Sequence, residues 1–236
     1  MLRFMFGQEN RTDSGLLAEA IELMNRFVKL HTTNKLASKR SSRDIRLALL
    51  TRGLLRSLDE LEQSIYVCVC YKEQLKSRFM EDLEVGERND YHRHIYFYKN
   101  ALIRIFSILD KLGGFLNVEF SLETQKEKEN FSYFTVLRRM KIRSAGVPLE
   151  KMLFDFKIKY QEPMLRLKVV RNLEVHAMNE ELADDLARLL HTGPTPIEDI
   201  SSKLNDLAQG YEMVCRVLIT VFRYLEKVNR QGSTSR

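Results

Sequence analysis

The sequence predicts an all-α protein, and three observations carry that expectation. Apolar residues recur in steps of three and four over very long runs, the spacing that lines one face of a helix. Breakers are scarce, with four Pro and ten Gly in 236 residues. Trp is absent, and β-branched alternation of the kind that marks strands is rare. At 44% hydrophobic and 30% charged, the composition is that of a globular chain able to bury a sizeable core, and it argues against disorder.

The elements follow in order. A first helix is predicted from about Gly15 to His31, with Leu16, Ala20, Leu23 and Phe27 in phase and Asp13 or Ser14 as caps. The polar, basic stretch TTNKLASKRSSRD then reads as a loop. A long helix from about Ser42 to Lys76 places Leu47, Leu50, Leu54, Leu58, Leu61, Ile65 and Cys68 or Val69 on one stripe. A third, capped by Asn89 or Asp90, carries Tyr91, Ile95, Tyr98, Leu102, Ile105, Leu109, Leu112 and Leu116 without a break in register. Gly113 and Gly114 lie inside that pattern. Each Gly costs a helix about 1 kcal/mol against Ala, so close packing is expected there.

The region from Ser121 to Tyr160 is less regular. QKEKEN reads as exposed, FSYFTVLRRMKI as a short helix ended by SAGVP, and Pro148 suits the first turn of another helix to about Tyr160. Pro163 opens the helix of the run QEPMLRLKVVRNLEVHAMNEEL. His191 to Pro196 (HTGPTP) reads as a linker. The last helix carries Ile200, Leu204, Leu207, Tyr211, Val214, Leu218, Val221, Leu225 and Val228 in one stripe, and QGSTSR at 231–236 reads as a frayed tail.

Several classes of function are excluded early. The N-terminal MLRFMFGQENR lacks the apolar run of a signal peptide, and no segment approaches the roughly 20 apolar residues of a membrane span. An odd set of cysteines, Cys68, Cys70 and Cys215, fits reduced thiols in a cytoplasmic protein. Cys68 and Cys70 point to opposite sides of a helix, as do His92 and His94, so neither pair suits a metal. A solvated helix end is the expected setting for the two histidines, and Asp110 is expected to play a structural part. Phosphate loops, HExxH and G-x-S-x-G are absent. Neither a metal nor another cofactor is expected.

Charge is unevenly placed. From Arg138 to Arg171 there are ten Lys/Arg against three Asp/Glu, whereas from 172 to 199 seven acids face Arg188 alone. Arg138, Arg139, Lys141, Arg143, Lys159, Arg166 and Lys168 are the cations that a polyanion such as RNA would meet. A solvated basic face gives the same count.

The basic segment leads into RNLEVH. On a helical wheel Leu165, Val169, Asn172 and His176 form one stripe, and Leu167, Val170, Leu173 and Ala177 a second, so this helix needs partners on two sides. Asn172 and His176 are i, i+4 neighbours, with Arg171 beside them. A guanidinium holds phosphate oxygens, an imidazole titrates near neutrality, and an amide fixes an imidazole or a ribose hydroxyl. Together they suffice for cleavage of RNA through its 2′-hydroxyl. In the competing account the same residues simply face solvent, with Glu174 pairing to Arg171 and His176 capping a helix end.

Arg171-Asn172-x-x-x-His176, late in an all-α chain, resembles the R-x(4–6)-H motif of the HEPN superfamily. The helix Phe97 to Asn117, FYKNALIRIFSILDKLGGFLN, resembles a long upstream helix in one branch of that family, and the likeness covers about Tyr91 to Tyr224. The resemblance implies a HEPN-like antiparallel helical bundle over 86–230, with additional helices over 1–85 packed on it. It further implies a metal-independent endoribonuclease acting as a homodimer across a cleft, of the kind found in toxin–antitoxin and phage-defence systems. An antitoxin or other protein partner would accompany such a role. By position, Arg171 would hold the scissile phosphate, His176 would be the acid/base, and Asn172 would orient substrate or imidazole. Some members of the family are binding or assembly modules without activity.

Overall fold

Long amphipathic stripes of this kind can only be buried helix against helix, and helices are what the chain forms. A computed structural model describes residues 2–9, 11–32, 41–176, 197 and 199–234. Among them are seven α-helices and no β-strand: α1 Gly15–Thr32, α2 Ser42–Lys72, α3 Val85–Glu119, α4 Tyr133–Ile142, α5 Val147–Lys159, α6 Gln161–His176 and α7 Ile200–Thr234. The expected linker His191–Pro196 lies outside the described residues.

Most boundaries fall where the sequence places them, with instructive exceptions. α3 begins at Val85, a full turn before Asn89 and Asp90. Asp90 instead pairs with Arg93 inside the helix, 3.0 Å away. Order upstream comes from Glu87, whose carboxylate accepts the backbone N–H groups of Lys76 and Ser77 and the Ser77 hydroxyl. α7 runs on to Thr234, well into the expected tail.

The chain divides into two compact units, each built from three separated stretches. The first comprises Met1–Arg11, Glu60–Arg104 and Gln161–Gly210. Met80, Leu83, Tyr91, Ile95 and Ile200 form a core cluster there, with Leu75, Ile197 and Leu204 against it. A 3-10 turn at Leu2–Phe6 is tied to α2 by Arg3 and, from the following segment, Arg11. Both bind the Glu62 carboxylate, at 2.5 and 2.6 Å. Phe6 presents its ring edge-on to Tyr66 and Tyr71.

His94 corrects the expectation of a solvated helix end. It is fully buried, and its Nδ1 donates to the Cys68 carbonyl at 2.8 Å, joining α3 to α2. Burial pushes the Cys68 thiol up to about 12, so it behaves as a small apolar group. His92 is exposed.

The second unit comprises Thr12–Asp59, Ile105–Tyr160 and Tyr211–Arg236. Its core includes three mutually packed rings, Phe27 of α1, Phe115 of α3 and Phe222 of α7, with centroids 5.2–5.5 Å apart. Such tilted and edge-on ring pairs add to the area they bury. Gly113 packs as expected: a Cβ there would stand 3.0 Å from the Tyr133 Cα, so the absent side chain lets α4 start directly against α3. Asp110, one turn earlier, accepts the Tyr133 N–H at 3.0 Å and satisfies a first-turn donor of α4. Gly114 has no such neighbour.

α4 and α5 form a short hairpin. Ser132 caps α4 by accepting the Thr135 N–H. Gly146 makes the turn into α5 at φ +58°, with the Phe120 ring 2.9 Å from where a Cβ would be. Both the left-handed backbone and the ring require glycine there.

Candidate nucleic-acid site on helix α6

Two devices start α6: Glu162 in its first turn favours the positive helix end, and Pro163 occupies a position whose N–H would bond nothing within the helix. The helix then buries a single face. Pro163, Met164 and Leu167 are enclosed, and Val170, Arg171 and Glu174 continue that face half-buried. Of the two expected stripes, the one of Leu165, Val169 and Asn172 is not covered within the described residues, and Leu173, expected on the stripe of Leu167, is open as well. Leu165, Val169 and Leu173 stand 58%, 53% and 53% exposed, and Asn172 is exposed among them.

The polar residues of the motif therefore divide. Arg171 lies half-buried on the edge of the covered face, with the Nε of its guanidinium itself enclosed. Asn172 lies on the open arc. The helix backbone continues to His176, one turn beyond Asn172. The side chain of His176 lies outside the described part of the structure, as does the whole of Ala177.

Glu174, expected as a possible partner of Arg171, binds Lys99 of α3 at 3.2 Å, with both side chains largely shielded. This pair sets an anion already matched by a cation one turn from Arg171. It was not legible in the sequence, where Lys99 is one polar residue among many on a long amphipathic helix.

The predicted RNA-contacting cations fall into different settings. Lys168 is exposed on α6, one turn before Arg171. Arg166 is bidentate on Asp206 of α7, with both N···O distances at 2.7 Å. Those hydrogen bonds raise its pKa further and commit the guanidinium to joining α6 and α7. Arg139 is similarly engaged, on Glu127 and the Leu122 carbonyl. Lys159 lies over the Tyr160 ring, 4.8 Å from its centroid. Arg138, Lys141 and Arg143 are exposed on and just after α4. Arg166, Lys168, Arg171 and Asn172 belong to the first unit, whereas Arg138, Arg139, Lys141, Arg143 and Lys159 belong to the second.

Among the described residues no group of three or more His, Cys, Asp or Glu side chains is placed to hold a metal ion. No helix among them is long and apolar enough to cross a membrane. α6 itself offers a cation, an amide and a backbone position for an imidazole, beside an exposed apolar stripe.

No curated protein and no solved structure matches the chain. A family model described as HEPN_Cthe2314-like HEPN matches residues 50–226, a span that runs from α2 to near the end of α7 and includes the whole of α6. Most of the chain, with the Arg-Asn-x-x-x-His helix inside it, is thereby accounted for, and the protein belongs to the HEPN family.

Proposed function

We propose that the protein is a metal-independent endoribonuclease whose reacting groups stand on the last turns of α6. The observation that carries this reading is Arg171-Asn172-x-x-x-His176 at the end of a helix whose open arc bears Asn172, within a chain of HEPN type. Arg171 would hold the scissile phosphate and stabilise charge as the phosphorane forms. His176 would accept the 2′-hydroxyl proton or protonate the leaving 5′-oxygen, and Asn172 would orient the ribose or the imidazole. Lys168, exposed one turn before Arg171, would bind an adjacent phosphate.

One helix supplies one imidazole, and the two proton transfers are simplest with two. The exposed stripe of Leu165, Val169 and Leu173 supports a homodimer in which a second copy covers that face and brings its own His176. A toxin or phage-defence role in the cytoplasm, with an antitoxin as partner, is the setting such an activity suits.

The test is cleavage of a mixed-sequence RNA in EDTA. Wild type should cut, and His176→Ala should lose at least about a hundredfold in rate with unchanged helicity and oligomeric state. Arg171→Ala should be comparably slow, and Asn172→Ala less so. Equal rates for wild type and His176→Ala would overturn the reading. The second reading, a non-catalytic module, is favoured by the ion pairs that hold Arg166 and Glu174. It predicts salt-sensitive RNA binding without product.

A further inference from the structure

The α4–α5 hairpin presents aromatic rings among cations on one surface. Phe154 of α5 is 38% exposed, and Phe134 of α4 is half-buried. Lys157 Nζ lies 5.3 Å from the Phe154 centroid and 5.9 Å from that of Phe134. Lys141 of α4 approaches Phe154 from the other helix, at 5.6 Å. Arg138 and Lys151 are exposed on the same two helices, and Ile142 and Ile158 add open apolar area.

Charge here is strongly one-sided. Residues 133–160 contain seven Lys/Arg and two acids, Glu150 and Asp155, and Glu150 is buried. Arg139 is engaged by Glu127. Lys141 and Lys157 make ring contacts, and neither they nor Arg138 and Lys151 form a salt bridge among the described residues. A solvated basic face would not need exposed Phe beside its lysines. An acidic protein segment would use the cations and leave the rings without a role. Unpaired nucleobases use both, because each offers a flat π face between phosphates.

We propose that this hairpin surface binds single-stranded RNA, with a base stacked on Phe154 and flanking phosphates on Lys141, Lys157 and Arg138. Only the choice of RNA over other single strands rests on the function proposed above; the stacking does not require cleavage. Gly146 keeps the turn tight enough for both helices to contribute to one face, and Phe134 supports Phe154 through the shared Lys157.

Fluorescence anisotropy of the full chain tests this with an unstructured RNA of about 12 nucleotides, 2′-O-methylated so that it cannot be cut. Phe154→Ala should weaken binding by about tenfold, the loss of one stacked base, while Phe154→Trp should retain it. Lys141→Glu with Lys157→Glu should weaken binding and flatten its salt dependence between about 50 and 200 mM. His176→Ala should bind as wild type does. Circular dichroism would establish that each variant is folded. Loss of cleavage by His176→Ala with undiminished binding by Phe154→Ala would overturn this inference alone. The reverse pattern would overturn only the nuclease reading. Failure of wild type to bind would overturn the inference, as would displacement of the RNA by a polyglutamate peptide with no effect of Phe154→Ala, which would mark an acidic-protein surface instead.

Discussion

Tyr133 is fully enclosed, and its hydroxyl meets no hydrogen-bond partner among the described residues. Burial drives its ionisation far above the ordinary tyrosine range, so the group stays neutral and its oxygen goes unsolvated. An unmet buried hydroxyl costs about 1–3 kcal/mol, whereas removing it leaves the ring packing intact. Tyr133→Phe should therefore be stabilising by about 1 kcal/mol, a rise of about 2–4 °C in Tm by calorimetry; a fall would show that the hydroxyl is bonded. Nothing in the sequence signals this, because a tyrosine reads alike whether its tip is wet or dry. The same blindness applies to His94, where two nearby histidines at a helix start looked solvated. The bond to the Cys68 carbonyl depends on a residue 26 positions away. Gly113 was readable for the opposite reason: a glycine inside a strong helical stripe is locally anomalous, and close packing is its commonest cause.

Asp110 shows what one helix does for another. Its carboxylate on the Tyr133 N–H serves the start of α4, where negative charge also meets the helix dipole. Asp110→Ala should cost about 1 kcal/mol in urea unfolding, the range of a lost cap, and Asp110→Asn distinctly less. A neutral result for Asp110→Ala would mean that Ser132 alone suffices. The stripes of α3 and α7 were legible residue by residue because each is buried along nearly its whole length. α6 was legible only in part. Its wheel showed two apolar faces, but wheel positions do not say which is covered. The covered face is centred nearer Leu167 and includes Arg171 and Glu174, whose long side chains leave no apolar mark in the sequence. For the motif itself, order and spacing could be read, and the Lys99–Glu174 pair beside it could not.

Across the molecule, several carboxylates favour a neutral rather than an acidic medium. Burial works to raise the pKa of Glu62, but hydrogen bonds from Arg3 and Arg11 outweigh it and hold the group below its ordinary range. Glu87 is lowered by the N–H and hydroxyl of Ser77 and the N–H of Lys76, and Glu212 by Arg216. A lowered carboxylate contributes stability that is complete above its unfolded pKa, about 4.3 for Glu, and is lost as pH falls through the folded value. Thermal stability should thus be level near neutrality and fall below about pH 5, and Glu62→Gln should make that fall shallower. An unchanged acid slope in Glu62→Gln would remove Glu62 from the account.

The all-α class and the family could be read from the chain, since both rest on local periodicity and a short motif. The division into two units could not, because it depends on which distant stretches meet. That division has a consequence for inheritance. Each unit draws on three stretches interleaved with those of the other, and α2, α3 and α7 each pass from one to the other in mid-helix. No single crossover, deletion or gene fusion can carry off one unit intact. Recombination must take the two together, and each diverges by local change within a shared reading frame.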